Sequence, residues 1–147
     1  MSNPKDMTAL TRERRSYALW TQDRVRYGDT DRQGHVNNAV YATYFETGRM
    51  SLLPEDYSEL VLPGTSMVVA RLEIDFHAEL FYPGQVDIGT RILAVGRTSF
   101  RFGQAVFKGE LCAATAVTVS VLVDGSTRKP TPLGPQLRAW LEARLPA

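Results

Sequence analysis

The feature that most constrains this chain is a change of hydrophobic period near residue 64. Upstream, Tyr41, Phe45, Gly48 and Leu52 recur at helical spacing, with Val40 and Tyr44 beside them. Thr43, Glu46 and Arg49 form a narrower polar side. The apolar arc is wide, so the spacing predicts a helix over about 38–53, buried round most of its circumference and ended by Pro54. Downstream the period falls to two. Ala70, Leu72, Ile74 and Phe76 alternate with Arg71, Glu73, Asp75 and His77, the pattern of a half-buried strand with His77 on its solvated face. After a turn at Tyr82-Pro83-Gly84-Gln85, Val86, Ile88, Ile92 and Ala94 continue as a second strand. Phe100, Phe102 and Val106 suggest a third, and Val117, Val119, Val121 and Val123 a fourth. Lys108-Gly109 and Asp124-Gly125 read as strand-ending turns. A further strand is expected over about 20–28, a loose arm over about 1–19 and a short amphipathic helix over about 136–145.

Short connections imply antiparallel neighbours. A meander of four or five strands with one long apolar helix is an α+β domain. A helix wrapped by a strongly curved sheet fits this outline, and so does a cystatin-like arrangement; periodicity does not choose between them. At 147 residues the chain is long enough for one domain, 1–147, with its own core. Seventeen basic against sixteen acidic side chains argue against a nucleic-acid partner held by bulk electrostatics. No apolar run reaches the roughly 18 residues of a membrane helix, and Arg12, Arg14 and Arg15 fall where a signal core would lie. The expectation is a cytoplasmic protein with no membrane partner. A lone Cys112, read as a small buried hydrophobe, and two histidines argue against an internal disulfide and against a metal site.

The chemistry concentrates between Arg26 and Arg49, read as RYGDTDRQGHVNNAVYATYFETGR. Asp29 and Asp31 lie two apart in a loop that leads into the predicted helix. A helix N-terminus exposes unpaired N–H groups and about half a positive charge, which favours an oxyanion developing there. A carboxylate beside such a site can activate water or attack an acyl carbon directly. The same residues also suit turn and capping chemistry, with Asn37 or Asn38 as the cap, His35 fixing the loop and Tyr41, Tyr44 and Phe45 as plain core.

This segment resembles the signature region of the 4-hydroxybenzoyl-CoA thioesterase family, which has the hotdog fold. The resemblance is carried by Arg26, Tyr27, Asp29, Asp31, the run Gly34-His35-Val36-Asn37-Asn38, and Tyr41, Tyr44, Phe45, Glu46 and Arg49. It extends less specifically through Leu72–Phe76, Phe81–Gly84 and Gly96–Phe100. It implies a curved antiparallel sheet of about five strands wrapped around one long central helix. It implies an acyl-CoA thioesterase in which Asp31 is general base or nucleophile and the backbone N–H of Asn38 polarises the thioester carbonyl. Asp29, Gly34, His35 and Asn37 would then shape the loop, and Val40, Tyr41 and Tyr44 would line an acyl pocket. Coenzyme A would be part of the substrate, with no separate cofactor. Its phosphates need basic partners, for which Arg97, Ser99, Arg101, Arg128 and Lys129 are the candidates, with Lys108 behind them. The resemblance also implies a homodimer or homotetramer, and the weakly charged strand around 117–123 suggests a sheet edge covered by a partner. A hotdog hydratase or dehydratase and a non-catalytic acyl-CoA sensor are the rival readings.

Overall fold

A computed structural model describes residues 12–146. Its elements in chain order are β1 (Leu19–Val25), α1 (Val40–Leu52), β2 (Thr65–Phe76), β3 (Gly84–Val95), β4 (Ser99–Lys108), β5 (Leu111–Asp124) and α2 (Pro135–Glu142). The strands form one five-stranded antiparallel sheet in the order β1-β3-β4-β5-β2. β1 runs antiparallel to β3, from Leu19 opposite Thr90 to Val25 opposite Gly84. Such a sheet with two helices fits the hotdog architecture. Among the described residues no helix is long and apolar enough to cross a membrane.

The chain divides into two compact units. The first holds the described residues up to Leu52, with Ile74–Thr90 and Gln104–Ala116; the second holds Leu53–Glu73, Arg91–Gly103 and the described residues from Val117.

In the first unit α1 packs against β1. Tyr41, Tyr44, Phe45 and Gly48 are its buried face, and each large apolar side chain so buried contributes roughly 1.5–3 kcal/mol. Gly48 sits where a side chain would not fit: a Cβ there would lie 2.6 Å from Ile88 Cγ2 and 2.8 Å from Gln104 Nε2. Arg49, expected on the polar side, is instead only 6% exposed. Its guanidinium donates to Gln104 Oε1 at 3.3 Å, and Gln104 Nε2 donates to Phe45 O at 3.0 Å and Thr90 Oγ1 at 2.9 Å. Periodicity misplaces Arg49 because it does not register a buried polar partner on the facing strand.

The expected arm over 1–19 lies outside the described residues for its first eleven positions. From Arg14 onward it is not loose. Arg14–Ser16 is a 3-10 turn and Tyr17 is 5% exposed, packed with Ala105, Phe107 and Cys112. Arg14 donates to Gly109 O at 2.8 Å, pairs with Asp87 at 3.2 Å and lies over the Trp20 ring at 4.5 Å. Two anchors three residues apart leave no period to read.

In the second unit the β3–β4 turn closes with Gly96 N–H on Ser99 O at 2.7 Å. Phe100 and Phe102 are buried and meet edge to face at 5.3 Å. The last helix covers a shorter span than the expected 136–145, and buries Leu137 and Leu141. Arg138 anchors it by donating to Gly96 O at 2.7 Å.

One strand expectation is corrected. The stretch 117–123 is not at a sheet edge: β5 lies between β4 and β2. An internal strand needs no charge on either face, which is why it resembles a covered edge in sequence. The edges are β1 and β2. Along β2 the expected alternation holds at Leu72 and Ile74, half-buried between exposed Arg71, Glu73 and Asp75, while Ala70 and Phe76 are exposed.

Candidate active site

The loop between β1 and α1 is held by its own polar residues. Tyr27–Asp29 is a 3-10 turn. Asp29 Oδ2 accepts the Arg26 N–H at 2.8 Å and the Tyr44 hydroxyl at 2.9 Å, and Asp29 O accepts the Asn37 N–H at 2.8 Å. Burial, and then the bond to Asp29, push the Tyr44 hydroxyl far above its usual range, so it stays a donor. Asp29 therefore ties the loop to the helix.

Asp31 opens a tight turn. Its N–H donates to His35 O at 2.7 Å and its carbonyl accepts the Gly34 N–H at 3.0 Å. Gly34 has φ +87, a left-handed conformation that glycine takes without strain. Asp31 Oδ1 accepts the N–H groups of Gln33 at 2.8 Å and His35 at 3.1 Å. Oδ2 has no partner among the described residues. The Asp31 carboxylate is thus oriented through one oxygen and available through the other.

The next turn starts the helix. Val36 N–H donates to Leu80 O at 2.8 Å, fixing the loop to the segment after β2. Asn37 caps α1: its Oδ1 accepts the Ala39 N–H at 3.1 Å and its carbonyl the Val40 N–H at 2.9 Å. The helix begins two residues later than the spacing predicted because this cap fills the intervening turn. Between the bonded N–H groups of Asn37 and Ala39, that of Asn38 has no acceptor among the described residues.

Asp31, His35, Asn38 and Tyr41 all line one open cavity of about 360 Å³. Phe76, His77, Ala78 and Glu79 line it as well. Tyr41 meets Phe76 edge to face at 5.1 Å. His35 Nε2 lies 3.4 Å from a Glu79 carboxylate oxygen, and the His35 ring meets Phe81 edge to face at 5.2 Å. Of the other residues predicted for the acyl pocket, Tyr44 is buried in the core and Val40 is half-buried; neither lines the cavity.

Sequence reasoning missed His77. It is half-buried rather than solvated, and its Nε2 lies 2.9 Å from Thr115 Oγ1. Burial and then the Arg12 charge lower its pKa, against a smaller opposing effect of Asp75. The strand ends at Phe76, so the alternation that seemed to assign His77 a face no longer applies. The signal available in sequence was only that a histidine follows the last alternating residue.

The residues proposed for the phosphates, Arg97, Ser99, Arg101, Arg128 and Lys129, belong to the second unit. Arg97, Arg101, Arg128 and Lys129 are exposed, and Ser99 is half-buried with its carbonyl closing the β3–β4 turn. Arg128 has φ +61 and its N–H donates to Asp124 O at 2.8 Å.

A free carboxylate oxygen and a free helix N-terminal N–H on one cavity are the parts needed to polarise and attack an acyl carbon. Comparison with known proteins gives the family. The model of the thioesterase-like superfamily matches residues 25–141, and the chain belongs to that superfamily. It is similar to the acyl-CoA thioester hydrolase YbgC of Escherichia coli, 28% identical over 114 residues, 75% of this chain and 85% of that protein. It is 27% identical over 128 residues to a 1,4-dihydroxy-2-naphthoyl-CoA hydrolase of Synechococcus elongatus, covering 80% of this chain and 90% of the relative. Among solved structures, a Thermus thermophilus thioesterase complexed with coenzyme A and zinc superposes with TM-score 0.75 at 30% identity, over 86% of this chain and 93% of that one.

Proposed function

We propose that the chain is an acyl-CoA thioesterase, hydrolysing a thioester to a carboxylic acid and free coenzyme A. The class, a thioester hydrolase, follows from its superfamily and relatives. The observation that carries the mechanism is the pairing, on one cavity, of Asp31 Oδ2 with the unbonded N–H of Asn38. In this reading the thioester carbonyl oxygen takes the Asn38 N–H, whose pull strengthens as negative charge develops. Asp31 removes a proton from the attacking water, or adds to the carbonyl carbon itself to give an anhydride that water then opens. In either route the electron pair of the C–S bond leaves with the coenzyme A sulfur. Tyr41 and Phe76 supply the apolar wall for the acyl group.

The finer points rest on the family resemblance. The sheet curves round α1 as in hotdog domains, aromatic acyl groups stand beside aliphatic ones as substrates, and the exposed Arg97, Arg101, Arg128 and Lys129 are the candidates for the phosphates. A second copy adds to the β2 edge, where Val69 is 51% and Phe76 49% exposed and an edge strand offers unpaired backbone groups.

The test is thiol release from a panel of short, long and aromatic acyl-CoAs. Release well above the spontaneous rate supports the reading. A stoichiometric complex without release marks a sensor, and a change in the acyl chain's double bonds without free thiol marks a hydratase.

A further inference from the structure

The cavity lining carries a polar device that the hydrolysis above does not use. His77 lies on the same cavity as Asp31 and Asn38. Its backbone is pinned by its N–H on Ala113 O at 2.8 Å, and its ring by Nε2 against Thr115 Oγ1 at 2.9 Å. Thr115 is itself buried, at 5% exposure, so the ring is anchored from behind. Nδ1 has no partner among the described residues. Burial lowers its pKa and so favours the neutral ring, in which one ring nitrogen donates and the other accepts.

His77, Asp31 and Asn38 line the same open cavity of about 360 Å³. A thioester whose carbonyl sits at Asn38 therefore shares its cavity with His77. A plain hydrocarbon there would strip water from Nδ1 and return no hydrogen bond, which costs binding. A hydroxyl serves whichever tautomer Thr115 selects, because it can donate or accept.

We propose that His77, oriented by Thr115, is a specificity-determining residue that selects acyl groups bearing a hydroxyl over the corresponding plain acyl groups. This rests on the acyl-CoA reading above, and the roles separate cleanly. Asp31 and Asn38 act on the carbonyl; His77 acts on the substituent, and Thr115 is a positioning residue behind it.

The experiment uses S-(2-oxoalkyl)-CoA thioethers, which keep the carbonyl and cannot be hydrolysed. One series carries no substituent; in the other a hydroxyl moves along the chain from the third to the sixth carbon counted from the carbonyl. Calorimetric Kd values for the full chain are expected to favour at least one hydroxyl position by about tenfold or more. His77→Leu should abolish that preference while binding the unsubstituted thioether as well as before or better. Thr115→Val, which keeps shape and removes only the anchor, should weaken the preference without removing it, and melting curves confirm that both variants are folded. The inference is overturned if no hydroxylated member binds better than its parent, or if the preference survives unchanged in folded His77→Leu. Discrimination without any thiol release from acyl-CoAs would sink the hydrolase reading and keep the assignment of His77. Release without discrimination would do the reverse.

Discussion

Gly48→Ala tests how closely α1 approaches the sheet, because two effects of known sign compete there. In an isolated helix the substitution is favourable by roughly 0.8–1.0 kcal/mol. In this fold the new methyl would lie 2.6 Å from Ile88 Cγ2, against an ordinary carbon separation of about 3.5–4.0 Å. Ile88 is fully buried in β3 and has no room to retreat. The methyl would also lie 2.8 Å from Gln104 Nε2 and 3.3 Å from Thr90 Oγ1. Moving Gln104 away stretches its bonds to Phe45 O and Thr90 Oγ1, each worth about 1 kcal/mol net. Overpacking of about 1–3 kcal/mol, with one such bond lost and the helix gain subtracted, leaves about 2 kcal/mol of destabilisation. For a chain of this size that is a fall in Tm of roughly 4–8 °C. Thr43→Ala, on the exposed side of the same helix, gains the propensity without the clash and should leave Tm level or raise it. Thermal unfolding by circular dichroism reads both. A Gly48→Ala protein as stable as the parent would refute the close approach and the buried Arg49–Gln104 arrangement built on it.

Three further outcomes follow. Asp29→Asn should lower stability by about 1–3 kcal/mol, because a neutral amide is a weaker acceptor for the Arg26 N–H and the Tyr44 hydroxyl; denaturant unfolding measures it, and unchanged stability with lost activity would move Asp29 into the chemistry. His77 has a folded pKa below the ordinary 6.5, so the unfolded chain binds its proton more readily and stability should fall as pH drops below about 6.5; His77→Gln should remove that part of the loss, and a His77 ring resonance titrating at or above 6.5 would contradict it. Val69→Asp on the exposed β2 edge should shift the protein toward monomer in light scattering; an unchanged assembly would place the contact elsewhere.

What the sequence made legible was whatever has a local cause. The apolar arc of α1 and the period-two runs of β3, β4 and β5 follow from side-chain periodicity, and the turn at Gly109 from a residue suited to it. Strand order is a different matter. Pairing is set by partners distant in the chain, so 117–123 read as a covered edge when it is an internal strand, and nothing in the alternation of β2 marks it as an edge. Buried polar pairs are equally silent. Arg49 looks like a surface residue until Gln104, 55 positions away, is seen facing it. At the site, the Asp-x-Asp loop is compact enough in sequence for Asp31, His35 and Asn38 to be picked together. The rest of the lining arrives through the exit of β2, where His77 meets Thr115, 38 residues on, and no local pattern announces it.

The most direct test of the central claim is Asp31→Asn. The amide keeps an oxygen to accept the N–H groups of Gln33 and His35, so the loop should hold and Tm should stay near that of the parent. It cannot act as a base or form an anhydride, so thiol release from the best acyl-CoA of the panel should fall by about 10²–10⁴-fold. A folded Asp31→Asn protein that releases coenzyme A at the parent rate would remove Asp31 from the mechanism and contradict the account.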